Sequence, residues 1–282
     1  MRLSILSASL ILLSAVFTSV RGDSYDEAMD MFCGGLAVTT PEENQVFTAG
    51  ATAKVTVTNS DTSGQKNITG LDLYTVEDGN PRYIRNVNAD KFVLGSQASL
   101  DNVLPSDLKA GYYYYRVWIT NVLHGEHGPD CLEMSPTFKV ATGSHTNAYG
   151  FTTYAEALDD TSIFKPEFAL GCFGLKVKSP TEGSTVKQGT HVSIVLNKDS
   201  ASQTTLLNQV DLYKVKEGKD ELVTNIWKDT ERIPKVFILK DQLRVPEEHY
   251  DPNASYFYKL DVTGKREGDK CTFQSGAFKI IA

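Results

Sequence analysis

The chain has 282 residues and only four cysteines, at positions 33, 131, 172 and 271. No two of them form a C-x-x-C pair, so the clustered zinc signatures are excluded. Neither an H-E-x-x-H nor a G-x-S-x-G segment occurs, which removes the motif-bearing zinc proteases and α/β-hydrolases. Histidine is scarce: there are five, none before His124. An oxidative copper enzyme acting on polysaccharide needs a histidine at its mature terminus, and the expected terminus here is Asp23. A cationic excess is also missing, since Lys and Arg number 28 against 35 for Asp and Glu. That balance argues against nucleic acid as a partner. No cofactor or metal is expected.

Apolar runs are confined to the start. Met1-Arg2 precedes Leu3 to Val20, a short stretch free of charge. A basic start before a short apolar core reads as a secretory signal peptide over residues 1–22, with no membrane span once it is removed. The tail, Phe278 to Ala282, lacks the apolar stretch of a lipid-anchor signal. The expected location is therefore extracellular or cell-wall-associated.

What the chain does have is a repeat. Phe32-Cys33-Gly34-Gly35-Leu36 returns as Gly171-Cys172-Phe173-Gly174-Leu175, and Leu71-Asp72-Leu73-Tyr74 as Val210-Asp211-Leu212-Tyr213. Tyr114-Tyr115-Arg116-Val117 returns as Phe257-Tyr258-Lys259-Leu260. Two units of about 110 residues follow, over 23–141 and 169–282, joined by a linker over 142–168. The cysteine gaps within the units are 98 and 99 residues, so the repeat selects Cys33–Cys131 and Cys172–Cys271 from the three possible pairings. Closing so long a loop stabilises by up to about 4.7 kcal/mol in the chain-entropy treatment.

Within each unit the apolar period is two. Ala53, Val55 and Val57 alternate with Lys54, Thr56 and Thr58, and turn-forming segments such as Glu77-Asp78-Gly79-Asn80 and Glu217-Gly218-Lys219-Asp220 separate the runs. About seven such strands in each unit predict an all-β fold: two tandem immunoglobulin-like antiparallel β-sandwich domains. The cysteine precedes the first strand, and no Trp stands at mid-core, so these are not antibody domains. In the linker, Tyr154 to Asp160 is expected to form a helical turn or two. Tyr149, Phe151, Tyr154, Phe164 and Phe168 suggest that the linker docks on a domain.

Residues Pro180 to Ile194, a Pro–Gly turn followed by Gly189 and an alternating strand, resemble the opening of the fungal cell-wall-synthesis domain at the N-termini of Ser/Thr-rich anchored wall proteins. Pro41 and Gly50 keep the outline in the first unit, with Asn44 in place of Gly183. The resemblance implies an extracellular, non-catalytic sandwich associated with β-glucan or wall assembly. The Ser/Thr-rich tail of that family is not present in this sequence.

Three groups of candidate site residues remain. Asn67-Ile68-Thr69 and Asn253-Ala254-Ser255 are sequons, expected on surface loops. His124-Gly125-Glu126-His127, with Asp130, pairs two imidazoles with carboxylates, but its glycines read as a hairpin tip. The third is an aromatic stripe. Tyr113, Tyr115, Val117 and Ile119 are apolar in both units and face the core, which leaves Tyr112, Tyr114, Arg116 and Trp118 on the other face. These form a candidate binding face for a protein or polysaccharide of the wall or matrix, unless the linker or the second unit covers them. The leading expectation is a secreted, non-enzymatic binding or structural protein. The alternatives are an effector or inhibitor docking on another protein, and a hydrolase on a sandwich scaffold.

Overall fold

A computed structural model describes residues 23–88, 90–266 and 268–281. The expected signal peptide lies outside the described residues. None of the described helices is long and apolar enough to cross a membrane.

The first unit opens with helix α1 (Asp23–Cys33) and continues through β1 (Leu36–Thr40), β2 (Val46–Thr48), β3 (Thr52–Asn59), β4 (Gln65–Glu77) and β5 (Asn80–Asn88). It closes with β6 (Phe92–Leu94), β7 (Gln97–Val103), β8 (Gly111–Leu123), β9 (Glu126–Met134) and β10 (Phe138–Ala141). The linker holds β11 (Ser144–Thr146), β12 (Thr152–Tyr154) and a one-turn helix α2 (Pro166–Ala169). The second unit runs through β13 (Leu175–Ser179), β14 (Thr185–Lys187), β15 (His191–Lys198), β16 (Leu206–Lys216) and β17 (Lys219–Arg232). It ends with β18 (Val236–Gln242), β19 (Ser255–Thr263), β20 (Lys270–Gln274) and β21 (Lys279–Ile281).

Each unit is a two-sheet sandwich of immunoglobulin-like type. Sheet β1-β3-β7 faces a sheet built on β10-β8-β4-β5, and β13-β15-β18 faces β17-β16-β19-β20. The pairing is antiparallel with two corrections, the short parallel pairs β2–β10 and β14–β21, which form where the chain crosses from one sheet to the other. The expected turns are hairpins: Asp78-Gly79 and Glu217-Gly218 both take positive φ, the geometry of a tight two-residue loop.

The repeat holds at the level of single contacts. Tyr115 stacks on Phe138 at 5.4 Å and Tyr258 on Phe278 at 5.5 Å. The Tyr115 hydroxyl meets the Asn102 amide at 2.7 Å, and the Tyr258 hydroxyl donates to Asp241 at 2.7 Å. The Tyr115 amide donates to the Ser135 hydroxyl, and the Tyr258 amide to that of Ser275. Both expected disulfides are present, Cys33–Cys131 and Cys172–Cys271, with Cα separations of 5.6 and 5.2 Å. Each ties the approach to the first strand onto the strand before the last.

The linker departs from expectation. No helix forms over Tyr154 to Asp160; instead β11 and β12 pair as a hairpin, and the helix begins at Pro166, which suits a first helical turn because proline has no N–H to leave unpaired. Phe164 and Phe168 are buried, but Tyr149 and Phe151, at the hairpin tip, are 87 % and 70 % exposed. Docking thus holds for the second half of the linker only.

The two units meet in a third apolar cluster, separate from the two sandwich cores. Tyr74, Val76, Tyr112 and Tyr114 come from the first unit, Phe164 and Phe168 from the linker, and Phe173 and Ala201 from the second unit. Gly174 makes the close approach possible. Its φ is +75°, its N–H donates to the Gly79 carbonyl at 2.8 Å, and a Cβ there would press on Ser202 and Pro81. Because this seam joins the cores, the units are expected to unfold in one transition. Phe173→Ala should cost about 3–5 kcal/mol and split the calorimetric trace into two peaks; a single unsplit peak in the variant would mean the units are not coupled through this ring.

Candidate functional site

The stripe expected on the outer face of β8 is largely consumed by the seam. Tyr112 and Tyr114 are fully buried, which corrects their reading as an open binding surface. Tyr114 stacks on Tyr74 at 5.5 Å, lies 5.3 Å from the Phe173 ring, and donates its hydroxyl to the Ala201 carbonyl at 2.7 Å. Burial raises the pKa of its phenol well above the usual tyrosine value. Tyr112 packs edge-on against Phe164 and Phe168 and donates to Asn44. Lys139 spans the Phe164 ring to reach the Leu158 carbonyl, and Thr137 donates to the carbonyls of Phe168 and Ala169.

Arg116 and Trp118 lie further along the same face and are half-buried. They form a compact cluster around one carboxylate, with the buried Arg116 Nε left without a hydrogen-bond partner. Asp72 accepts from the Trp118 indole at 2.8 Å, from Arg116 at 3.3 Å and from the Asn86 amide at 2.9 Å. The Arg116 guanidinium sits between the rings of Tyr74 and Trp118, at 4.7 and 5.1 Å. A planar cation between two π-faces, neutralised by one carboxylate, packs this part of the face. In the second unit, Lys259 over Tyr213 and Asp211 bound to Asn225 and Gln209 repeat it in weaker form.

The histidine segment is the tip of the β8–β9 hairpin. His124 and Gly125 take positive φ, and His127 reaches Asp130 at 3.3 Å. Among the described residues, no group of three or more His, Cys, Asp or Glu side chains could hold a metal ion.

The two sequons part company. Asn253 is exposed in the turn before β19. Asn67 is not on a loop: it lies inside β4 between β6 and β8, 1 % exposed, with neither amide atom hydrogen-bonded. The local triplet is intact, but both strand edges beside it are occupied. Secreted material should therefore carry a glycan at Asn253 and none at Asn67, read by peptide mass spectrometry after enzymatic deglycosylation. Quantitative occupancy at Asn67 would contradict the buried position.

Beside the seam runs an open groove of about 1220 Å³ between the units, lined by Glu133 of β9, Gln203, Lys198, Arg232 and Lys265 among others. Gln203 donates to the Ser135 carbonyl across the units. Burial pushes the Glu133 carboxyl up to about 7, offset in part by Lys265, and lowers the Lys265 ammonium to about 8, offset in part by Glu133. Lys198 is also lowered to about 8, by burial and then by neighbouring Arg232. The sign for Glu133 is that of a raised acid. Its contribution to stability is complete below the ordinary value of 4.5 and is lost as pH rises through about 7. Lys265 behaves oppositely, contributing fully above 10.5 and losing that contribution as pH falls through about 8. Melting temperature should thus carry a falling component between about 4.5 and about 7 that Glu133→Gln flattens; an unchanged slope in that variant would assign the titration to another group.

No family model matches the chain, and no curated protein matches it. Among solved structures it is similar to the fibronectin(III)-like modules of Clostridium thermocellum CbhA, at 11 % identity and a TM-score of 0.23, over 88 % of this chain and 93 % of that one. At that score the likeness carries no weight; the sandwich assignment rests on the sheet pairing itself.

The residue that periodicity missed is Phe173. It stands where the first unit has Gly34, so the exchange of glycine for phenylalanine between the copies was a visible signal of the seam.

Proposed function

We propose that this is a secreted, non-enzymatic binding or structural protein of a cell wall or extracellular matrix, associated with β-glucan. The observation that carries the reading is the β11–β12 hairpin. It projects Tyr149 and Phe151, 87 % and 70 % exposed, from a body in which the other aromatics of the linker and of β8 are packed away or half-buried. The tip is braced: Asn147 accepts from the amides of Tyr149 and Phe151, and Thr146 bonds Thr152 across the strands. Two braced, bare rings are suited to stacking on the apolar faces of pyranose rings. The disulfide closing each unit is at home in an oxidising, extracellular compartment. The resemblance of Pro180 to Ile194 to the fungal wall domain supports the same direction.

Purified mature protein should be retained by insoluble β-glucan in a pull-down, with chitin as the comparison polymer. Tyr149→Ala with Phe151→Ala should abolish most of the retention while leaving the melting temperature within a degree or two, since surface rings contribute little to stability. Retention that survives the double variant would move the site elsewhere. A wild-type protein that passes through both polymers would defeat the wall reading and favour docking on another protein.

A further inference from the structure

The two sandwiches differ sharply on the outer face of the three-stranded sheet. In the first unit the face of β1-β3-β7 is dominated by threonine, with Lys54 and Asp101 of opposite sign. In the second unit the same face carries Lys176 and Lys178 on β13, His191 on β15 and Lys240 on β18, all exposed. No carboxylate points out of it. The one acidic residue in these strands, Asp241, turns inward to the Tyr258 hydroxyl. Lys176, Lys178 and Lys240 form no ion pair among the described residues.

At the centre of this face is an apolar patch. Val195 pairs in register with Ile238, and Val236 lies two residues along β18. Val236 and Ile238 are 52 % and 56 % exposed. Aliphatic side chains bordered by three lysines without ion pairs on a sheet face call for a partner that is both acidic and partly apolar.

The same chain contains that complement. Helix α1 carries Asp23, Asp26, Glu27 and Asp30 and no basic residue. Glu27 and Asp30, three residues apart on one side of the helix, are both exposed. Met31, beside them, is 71 % exposed. Met29 and Phe32 are half-buried, and the helix packs on β9, to which Cys33 ties it through Cys131. The acidic side thus faces away from its own unit. The first unit as a whole holds 16 acidic and 8 basic residues over 23–141, against 15 and 17 over 169–282. An 11-residue helix is about 16 Å long, comparable with the length of the three strands it would lie across. Within one copy the two surfaces do not cover each other, since Met31, Val236 and Ile238 are all exposed.

We propose that the acidic helix α1 of one copy docks on the lysine-rimmed outer face of β13-β15-β18 of a second copy, joining molecules head to tail. Met31 enters the patch of Val195, Val236 and Ile238, while the carboxylates of Glu27 and Asp30 meet Lys176, Lys178 and Lys240. A simple polyanion satisfies the charges but leaves the aliphatic centre uncovered, which is why a second copy is the better occupant. The contact uses different surfaces on the two partners, so it repeats into a ring or an open chain. This goes beyond the polysaccharide reading and does not depend on it.

The test is sedimentation velocity on the mature protein without any glycan, over a concentration series at ~0.01 M and ~1 M salt, where the Debye length falls from about 30 Å to about 3 Å. Average mass should rise with concentration at low salt and return to the monomer at high salt. One variant carries Lys176→Glu, Lys178→Glu and Lys240→Glu; another carries Glu27→Lys and Asp30→Lys. Each alone should stay monomeric, because like charges then face one another. An equal mixture should associate again, because both contacts are complementary once more. Regained association also shows that both variants are folded. The proposal is overturned by a wild-type monomer at every concentration, by undiminished association of either variant alone, or by a mixture that stays monomeric. Capture of the monomeric wild type by a sulfated polysaccharide column would assign the face to a polyanion and overturn it as well.

Discussion

The arrangement of this molecule depends on what happens to one side of strand β8. A strand in a two-sheet sandwich buries one face and wets the other, yet here Tyr112 and Tyr114 on the outward face are as buried as Tyr113 and Tyr115 on the inward one. An uncovered row of tyrosines would be an exposed apolar patch and an aggregation liability. The chain covers it with its own linker and with the first residues of its second unit. Phe164, Phe168 and Phe173 supply apolar area, and the Ala201 carbonyl satisfies the phenol that this area would otherwise strand. The position of the second sandwich follows from that cover.

The disulfides act at a different level. Each closes its own unit, so neither spans the seam. Disulfide reinforcement is local to the two sandwiches, while the packing between them is non-covalent: a ring cluster, hydrogen bonds such as Gly174 to Gly79 and Gln203 to Ser135, and the Arg266–Glu43 ion pair. The Glu133 and Lys265 charges beside the seam are poorly hydrated, so proton occupancy touches the joint between the units more than the cores. The chain thereby separates the durability of its parts from the setting of their relation.

How much of this was legible follows from the physics of each signal. Period-two alternation reports burial on one face, so the core strands, and with them Val55, Tyr115 and Val117, could be read directly. Matched cysteine gaps made the bridges readable because the repeat removes the other pairings. A strand apolar on both faces defeats the same rule: the alternation showed that Tyr112 and Tyr114 point outward, but nothing local says what comes to meet them. Phe173 in place of Gly34 held that information, as a difference between copies. Helix α1 was overlooked although Tyr25, Met29 and Phe32 recur at helical spacing. The helix expected at Tyr154 to Asp160 failed because its first residue is already paired to Ser144, while the helix that exists starts at a proline. The Asn67 triplet misled because a sequon reads three residues and burial depends on both neighbouring strands.

The second unit shows what the seam requires, by having only half of it. Its counterparts to Tyr74 and Tyr114 are Tyr213 and Phe257, stacked at 5.5 Å as in the first unit. Its counterpart to Tyr112 is Ser255, and Lys259 lies over the Tyr213 ring where the first unit has Arg116 over Tyr74. With one ring lost, that face offers less apolar area than its counterpart in the first unit. What the second unit carries on its opposite sheet is a set of exposed lysines around aliphatic side chains that are open to solvent. The two sheets of one sandwich have thus been given different work across the copies. The larger sheet of the first unit joins its neighbour permanently, by burial. The smaller sheet of the second is suited to contacts that salt can break, because exposed charges are screened within a Debye length while a buried aromatic seam is not.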